Sequence, residues 1–267
     1  MKKILAALTF PLCISLSACG GDDGGTPAAP SKFAVKLTFS GVPLVTQQKT
    51  SRMAQMDGAS QAPSDGQATV DALQKKFTAA GTGITVYPGV VDGTTLHQIV
   101  MSVNNGIGPT EDEMRKAQVP AVMSEWVVVN FQLDDMRTGR NDPAQVAALE
   151  QFRKDLLVFQ NRLYLEGKSL YKVIPIRTCE LPAGETAADG LIDTLNSVPG
   201  NGFLMGLWDA PSNEHMGVDC RTPDQATLDA HLDAVVTPIV ASYKAVNEYV
   251  NDCRAHPENH PEGCKGI

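Results

Sequence analysis

Ser212, Glu214 and His215 put a hydroxyl, a carboxylate and an imidazole within one short stretch. A histidine close to a serine can take its proton and make it a nucleophile, so Ser212 and His215 form one candidate pair. Carboxylates recur at Asp92, Asp134, Asp135, Asp209 and Asp219. Paired carboxylates suit acid–base work on glycosides, and carboxylates gathered with a histidine can hold a metal. Two other histidines fall in helix-like segments. His97 reads as packed or exposed, and His231, between Leu228 and Leu232, as lying at a helix's surface border. Trp126 and Trp208 read as fillers of the core beside a sheet.

Cysteine usage depends on the first residues. Met1-Lys2-Lys3, a short apolar run and small residues before a cut position read as a secretory signal over residues 1–18. Leu16-Ser17-Ala18-Cys19 resembles the bacterial lipoprotein box. That resemblance implies cleavage after Ala18, diacylglyceryl transfer to Cys19 and acylation of the new N-terminus. Several acyl chains on one residue anchor far more firmly than one, at about 0.8 kcal/mol per buried methylene. The alternative is an unlipidated secreted chain cut at another small residue. Gly20, in place of the aspartate associated with inner-membrane retention, points to the outer membrane facing the periplasm. The bilayer is then the first partner, and the compartment is oxidising. Cys13 leaves with the signal, so Cys179, Cys220, Cys253 and Cys264 remain. Four cysteines allow three pairings. Cys253 with Cys264 and Cys179 with Cys220 is favoured, because the first pair flanks a tail with little else to hold it. The competing reading is a metal site, since Cys253-x-x-His256 and His260-x-x-x-Cys264 have ligand-like spacing. The favoured reading assigns no metal and no cofactor.

Residues 19–31, rich in Gly, Asp, Pro and Ala, cannot form a core and read as a flexible tether. Residues 32–250 suffice for one large domain, with residues 251–267 as a disulfide-held tail. No later apolar run approaches the ~20 residues a membrane-spanning helix needs. Loss of the signal, which carries two cations and no acid, takes the formal charge from −8 to −10. Such an acidic body carries no electrostatic footprint for nucleic acid.

Apolar periodicity predicts strands at 33–39, 84–91, 126–131, 170–176 and 203–208, separated by helix-like stretches. The run from Trp126 is apolar enough for burial on both faces. Asp142, Pro143 and Gln145 read as a capping box opening a long helix that Gly167 ends. Thr222-Pro223-Asp224-Gln225 reads as a second box, with Thr222 as the cap of a last helix kinked at Pro238. Residues 40–66 read as a loop with a short helix. The alternation predicts a single three-layer α/β domain around a five-stranded parallel sheet. Ligands of such sheets sit beyond the carboxyl ends of the strands.

At that edge stand Gly41-Val42-Pro43-Leu44, Gly93-Thr94-Thr95, Gln132-Leu133-Asp134-Asp135 and Asp219-Cys220-Arg221-Thr222-Pro223. In these motifs and their order the chain resembles the SGNH (Gly-Asp-Ser-Leu) hydrolases, esterases and lipases with a flavodoxin-like sheet. The resemblance implies that Pro43 occupies the nucleophile position, Gly93 an oxyanion-hole position, Asp134 the oxyanion asparagine position, and Asp219 and Thr222 the Asp and His positions. Proline has no nucleophile, a carboxylate repels an oxyanion, and threonine is no base near neutral pH. Asp219 without its histidine has no triad role. The implied function is therefore binding or scaffolding in the envelope by a domain that has lost esterase activity. Its ligand would be a glycan, lipid or protein held at the carboxyl edge. The alternative is an envelope hydrolase, an esterase or carbohydrate-active enzyme, built on Asp135, Ser212, Glu214 or His215. A purely structural envelope protein is the third reading.

Overall fold

The computed structural model describes residues 31–46, 64–179, 181–198, 202–211, 213–220, 222–260 and 262–265. Cys19, Ser212 and most of the stretch expected to hold a loop and short helix after Ser40 lie outside them. The described chain forms strands β1 (Val35–Gly41), β2 (Ile84–Pro88), β3 (Glu125–Asn130), β4 (Lys168–Val173) and β5 (Phe203–Met205). Six α-helices accompany them: α1 (Asp65–Ala79), α2 (Leu96–Ser102), α3 (Glu111–Lys116), α4 (Pro143–Leu165), α5 (Ala187–Ser197) and α6 (Gln225–Ala255).

All strand pairs are parallel, in the order β2-β1-β3-β4-β5. This is the expected single three-layer, flavodoxin-like α/β domain. Period-two alternation decides which side chain meets which layer. Trp126 and Val128 on β3 join Leu37, Phe39, Tyr171 and Val173 under α1 and α6. Val127 and Val129 face the opposite way, against Leu96, Phe152, Leu156 and Leu191 of α2, α4 and α5. Both faces of β3 are covered, so the strand is apolar from Trp126 to Val129.

The helices start where short polar side chains satisfy free backbone N–H groups. Ser64, Thr95, Thr110, Asp142, Thr186 and Asp224 cap α1 to α6 in turn. Two expected caps differ. Asp142 accepts from Ala144 N–H, while Gln145 turns inward, is buried, and donates Nε2 to the Asp135 carbonyl at 3.0 Å. At α6 the cap is Asp224 and not Thr222, because Pro223 is held in an antiparallel bridge with Met216. The helix therefore starts at Gln225. It continues through Pro238 to Ala255, with Val235, Val236 and Ile239 packed in the core around the proline. Cys253, at the start of the stretch read as a tail, thus belongs to α6.

The last strand is shorter than its sequence pattern. It stops at Met205, and Trp208 is half exposed instead of filling the core. His231, expected at a surface border, is 3% exposed. Both departures come from Gly206, whose φ of +133° turns the chain out of the sheet and over α6. A Cβ there would fall 2.8 Å from His231 Cε1. Disulfides join Cys179 to Cys220 and Cys253 to Cys264, with Cα atoms 4.9 and 5.3 Å apart. Sulfurs so bonded are not thiolates and hold no metal.

Candidate functional site

In the order β2-β1-β3-β4-β5 the crossovers from β1 to β2 and from β2 to β3 leave a crevice between the carboxyl ends of β1 and β3. A cleft of about 730 Å³ opens there. Pro43 and Leu44, just after β1, form one wall, and Gln132, Leu133, Asp134 and Asp135, just after β3, form another. Pro175, Ile176 and Thr178 follow from β4, and Pro223, Leu228 and His231 close it from the start of α6.

The floor is made where β1 and β3 end side by side. Val42 N–H donates to the Asn130 carbonyl at 2.8 Å, and Asn130 Nδ2 donates back to the Val42 carbonyl at 2.8 Å. Gly41, at φ +107°, allows this approach, since a Cβ would run into the Asn130 carbonyl. Asn130 is 3% exposed, and its Oδ1 is buried with no hydrogen-bond partner among the described residues. An unpaired buried acceptor is costly and rare in a native fold.

His231 is the second buried polar group on the lining. Its Nδ1 accepts the Leu207 backbone N–H at 3.3 Å. An accepting Nδ1 places the proton of the neutral ring on Nε2. Burial pushes the His231 imidazole down to about 4, so the neutral form prevails near pH 7. The ring is thus a fixed Nε2–H donor and a poor base.

The loop after β3 is shaped by Asp135. Its carboxylate accepts from Arg137 N–H at 2.7 Å, Thr138 N–H at 3.3 Å and Thr138 Oγ1 at 2.6 Å. The Thr138 hydroxyl first, then these backbone N–H groups, hold its carboxyl below the usual range. Asp134 beside it is exposed, and no described residue pairs with its carboxylate.

The same four residues, Gln132 to Asp135, are also a wall of a second cleft of about 570 Å³ between α2 and α4. There Asp155, buried on α4, accepts His97 Nδ1–H at 3.0 Å and Gln151 Nε2–H at 3.1 Å. With Nδ1–H so engaged, Nε2 of the half-exposed His97 is the acceptor of the neutral ring. Gln98, Gln145 and Gln151 line the cleft as well. A third groove holds Arg140, Arg177, Trp208 and Asp209. Its cations are matched, Arg177 by Asp189 at 2.5 Å and Arg140 by Asp193 at 2.6 Å.

The cleft brings together Pro43, Asp134 and Asp135 of the residues singled out in the sequence. His231 joins them from α6, and the other candidates among the described residues stand elsewhere. Gly93, at φ +91°, has open space around it and lines none of the three cavities. Asp92 is spent on Thr94, accepting from its N–H and hydroxyl. Asp219 accepts from Thr222 N–H at 3.0 Å and Thr222 Oγ1 at 2.7 Å, so the family-equivalent Asp and His positions close a turn on each other. His215 Nδ1 pairs with Asp224 Oδ2 at 2.9 Å and its Nε2 lies 3.7 Å from Glu214. Asp224 raises the His215 imidazole above its usual range, and the pair secures the start of α6. Of the carboxylates expected to gather at one edge, Asp134 and Asp135 share the cleft, while Asp92 and Asp219 close turns, Glu214 stands beside His215 and Asp209 lines the third groove. Among the described residues no group of three or more His, Cys, Asp or Glu could hold a metal ion.

Sequence reading missed Asn130 and the His97–Asp155 pair, and it misplaced His231. Asn130 carries a usable signal, being the one polar residue that ends an apolar run at a strand's carboxyl end. His231 carries another, four residues before Val235 on the apolar face of α6. Asp155 sits between Phe152 and Leu156 on α4, where burial was legible but its partner on α2 was not. A comparison of the chain with protein-family models finds no match, and neither does a comparison with curated proteins.

Proposed function

We propose that this chain is a lipid-anchored envelope protein whose α/β domain binds a ligand in the cleft between β1 and β3 without hydrolysing esters through a serine. The observation that carries this reading is the lining of that cleft. Pro43 stands where a serine hydrolase of similar topology would place its nucleophile. Among the described residues the lining has no serine and no cysteine. Its histidine is neutral, with Nδ1 already engaged by Leu207. A nucleophile within reach of an available base is the minimum for acyl transfer through a serine or cysteine; of the hydroxyls on this lining, Thr138 is spent on the Asp135 carboxylate, and the histidine is no base near neutral pH. What it does supply suits recognition: apolar contact from Leu44, Leu133 and Ile176, with a few fixed polar groups.

The anchoring half rests on Leu16-Ser17-Ala18-Cys19 and the tether behind it. On that reading the domain works at a membrane surface, in the periplasm and on the outer membrane. Two measurements test the proposal. Metabolic labelling with an alkynyl fatty acid should mark the wild-type chain and not Cys19→Ser. Turnover of p-nitrophenyl butyrate by the purified chain should stay at the uncatalysed rate; saturable turnover that Asp134→Asn or Asp135→Asn abolishes would favour the hydrolase alternative.

A further inference from the structure

The lining of the two clefts, on the reading of this edge as a binding site, narrows the ligand class. Asp134 stands on the loop they share. On the β1–β3 side the fixed groups are the His231 Nε2–H donor and the buried Asn130 acceptor; on the α2–α4 side His97, its Nδ1–H held by Asp155, lines the cleft with Nε2 as its acceptor. A ligand satisfying both sides must donate to Asp134 and accept from His231 with neighbouring groups. A hydroxyl does both, whereas an ammonium accepts nothing and a carboxylate or phosphate meets two carboxylates, Asp134 and Asp135, against the one lining cation Arg137. An apolar chain would leave the buried polar groups unmatched. Cleft volumes of about 730 and 570 Å³ each lie within the range of small-ligand sites.

We infer that the two clefts form one binding surface for a neutral, hydroxyl-rich chain of the oligosaccharide type, straddling the Gln132–Asp135 ridge with Asp134 as its central anchor. Asp134 takes a pair of ligand hydroxyls, His231 donates to an oxygen on the β1–β3 side, and His97 accepts from a hydroxyl on the α2–α4 side. No bond is made or broken.

The experiment is a titration of the isotope-labelled full chain, followed by amide NMR shifts. The probes are maltotriose, cellotriose and chitotriose, with trigalacturonate, spermidine and octanoate as anionic, cationic and apolar comparisons. At least one neutral trisaccharide should give saturable shifts at Gln132, Asp134 and Leu207 on one side and at Thr95 and Gln98 on the other. Asp134→Ala should raise its Kd about tenfold or more, as expected for hydrogen bonds to a charged group. His231→Asn keeps an acceptor for Leu207 and removes the donor, and should raise Kd several-fold while the Leu207 amide stays protected from exchange. Shifts confined to one cleft, or a Kd unmoved by Asp134→Ala, overturn the straddling surface. If only spermidine, trigalacturonate or octanoate moves these amides, the hydroxyl-rich ligand is wrong while the binding cleft stands. If no probe moves them, both fall.

Discussion

Leu207 donates its backbone N–H to His231 Nδ1 at 3.3 Å, tying the loop after β5 to the first turns of α6. The contact does two things at once. It settles that Nε2 keeps the proton of the neutral ring, and it satisfies Nδ1 of an imidazole that is 3% exposed.

A pH dependence follows. His231 titrates at about 4 in the folded chain against 6.5 unperturbed, because burial disfavours its charged form. Between those values the unfolded chain holds more protons than the folded one, so stability rises with pH across that window. The penalty is absent above 6.5 and complete below about 4, where it reaches about 3 kcal/mol. Urea denaturation at a series of pH values should show this slope in the wild type and a shallower one in His231→Asn. Equal slopes would contradict the assignment. His215 has the opposite sign: its imidazole is raised by Asp224, so its contribution is present at low pH and lost as pH rises through its folded value.

The two disulfides should contribute unequally. Cys179–Cys220 spans 41 residues and Cys253–Cys264 spans 11. Chain entropy gives about 4 kcal/mol for the longer loop and about 3 for the shorter. Cys179→Ser with Cys220→Ser should therefore lower the denaturation midpoint more than Cys253→Ser with Cys264→Ser. The longer bridge also pins the segment from β5 to α6 that carries Leu207, so its loss should increase hydrogen exchange at Leu207.

Asp155 joins α2 to α4 through His97 and receives Gln151 as well. Asp155→Ala removes the buried acceptor of two exposed donors, His97 and Gln151, which water can then satisfy, and should cost about 1 kcal/mol. Asp155→Asn, which keeps one acceptor, should cost less. Nitrogen chemical shifts of His97 should show the proton on Nδ1 in the wild type and a mixture of tautomers in Asp155→Asn.

Gly41 tests the floor of the cleft. At φ +107°, with a Cβ directed into the Asn130 carbonyl, Gly41→Ala should cost about 3 kcal/mol or more. Gly93→Ala, strained in φ but in open space, should cost about 1 kcal/mol. Thermal denaturation of the pair separates backbone strain alone from strain plus collision.

Much of this edge was legible in order but not in arrangement. The alternation of apolar runs and capped helices predicts the parallel sheet, since each run such as 126–131 can be buried only between two helical layers. It also marks the two disulfides, because cysteine number and tail composition are local facts. The positions of Pro43 and Asp134 after β1 and β3 follow from the same order. Thr222 was misread as the helix cap because a turn closing on itself, here onto Asp219, uses the same residue types. Trp208 and His231 were misplaced for one reason: Gly206 ends β5 early, and nothing in the pattern of residues 203–208 says that the chain leaves the sheet there. Asn130 and Asp155 matter through partners far away in the chain, which only the fold brings to them.

The proposed cleft recognises a ligand and forms no acyl-enzyme. The most direct measurement is intact-mass analysis of the purified chain after exposure to a fluorophosphonate probe, with peptide mapping of any adduct. No serine adduct is expected anywhere on the chain. A stoichiometric adduct at Ser212, or at any other serine, that is lost on unfolding before exposure would contradict it.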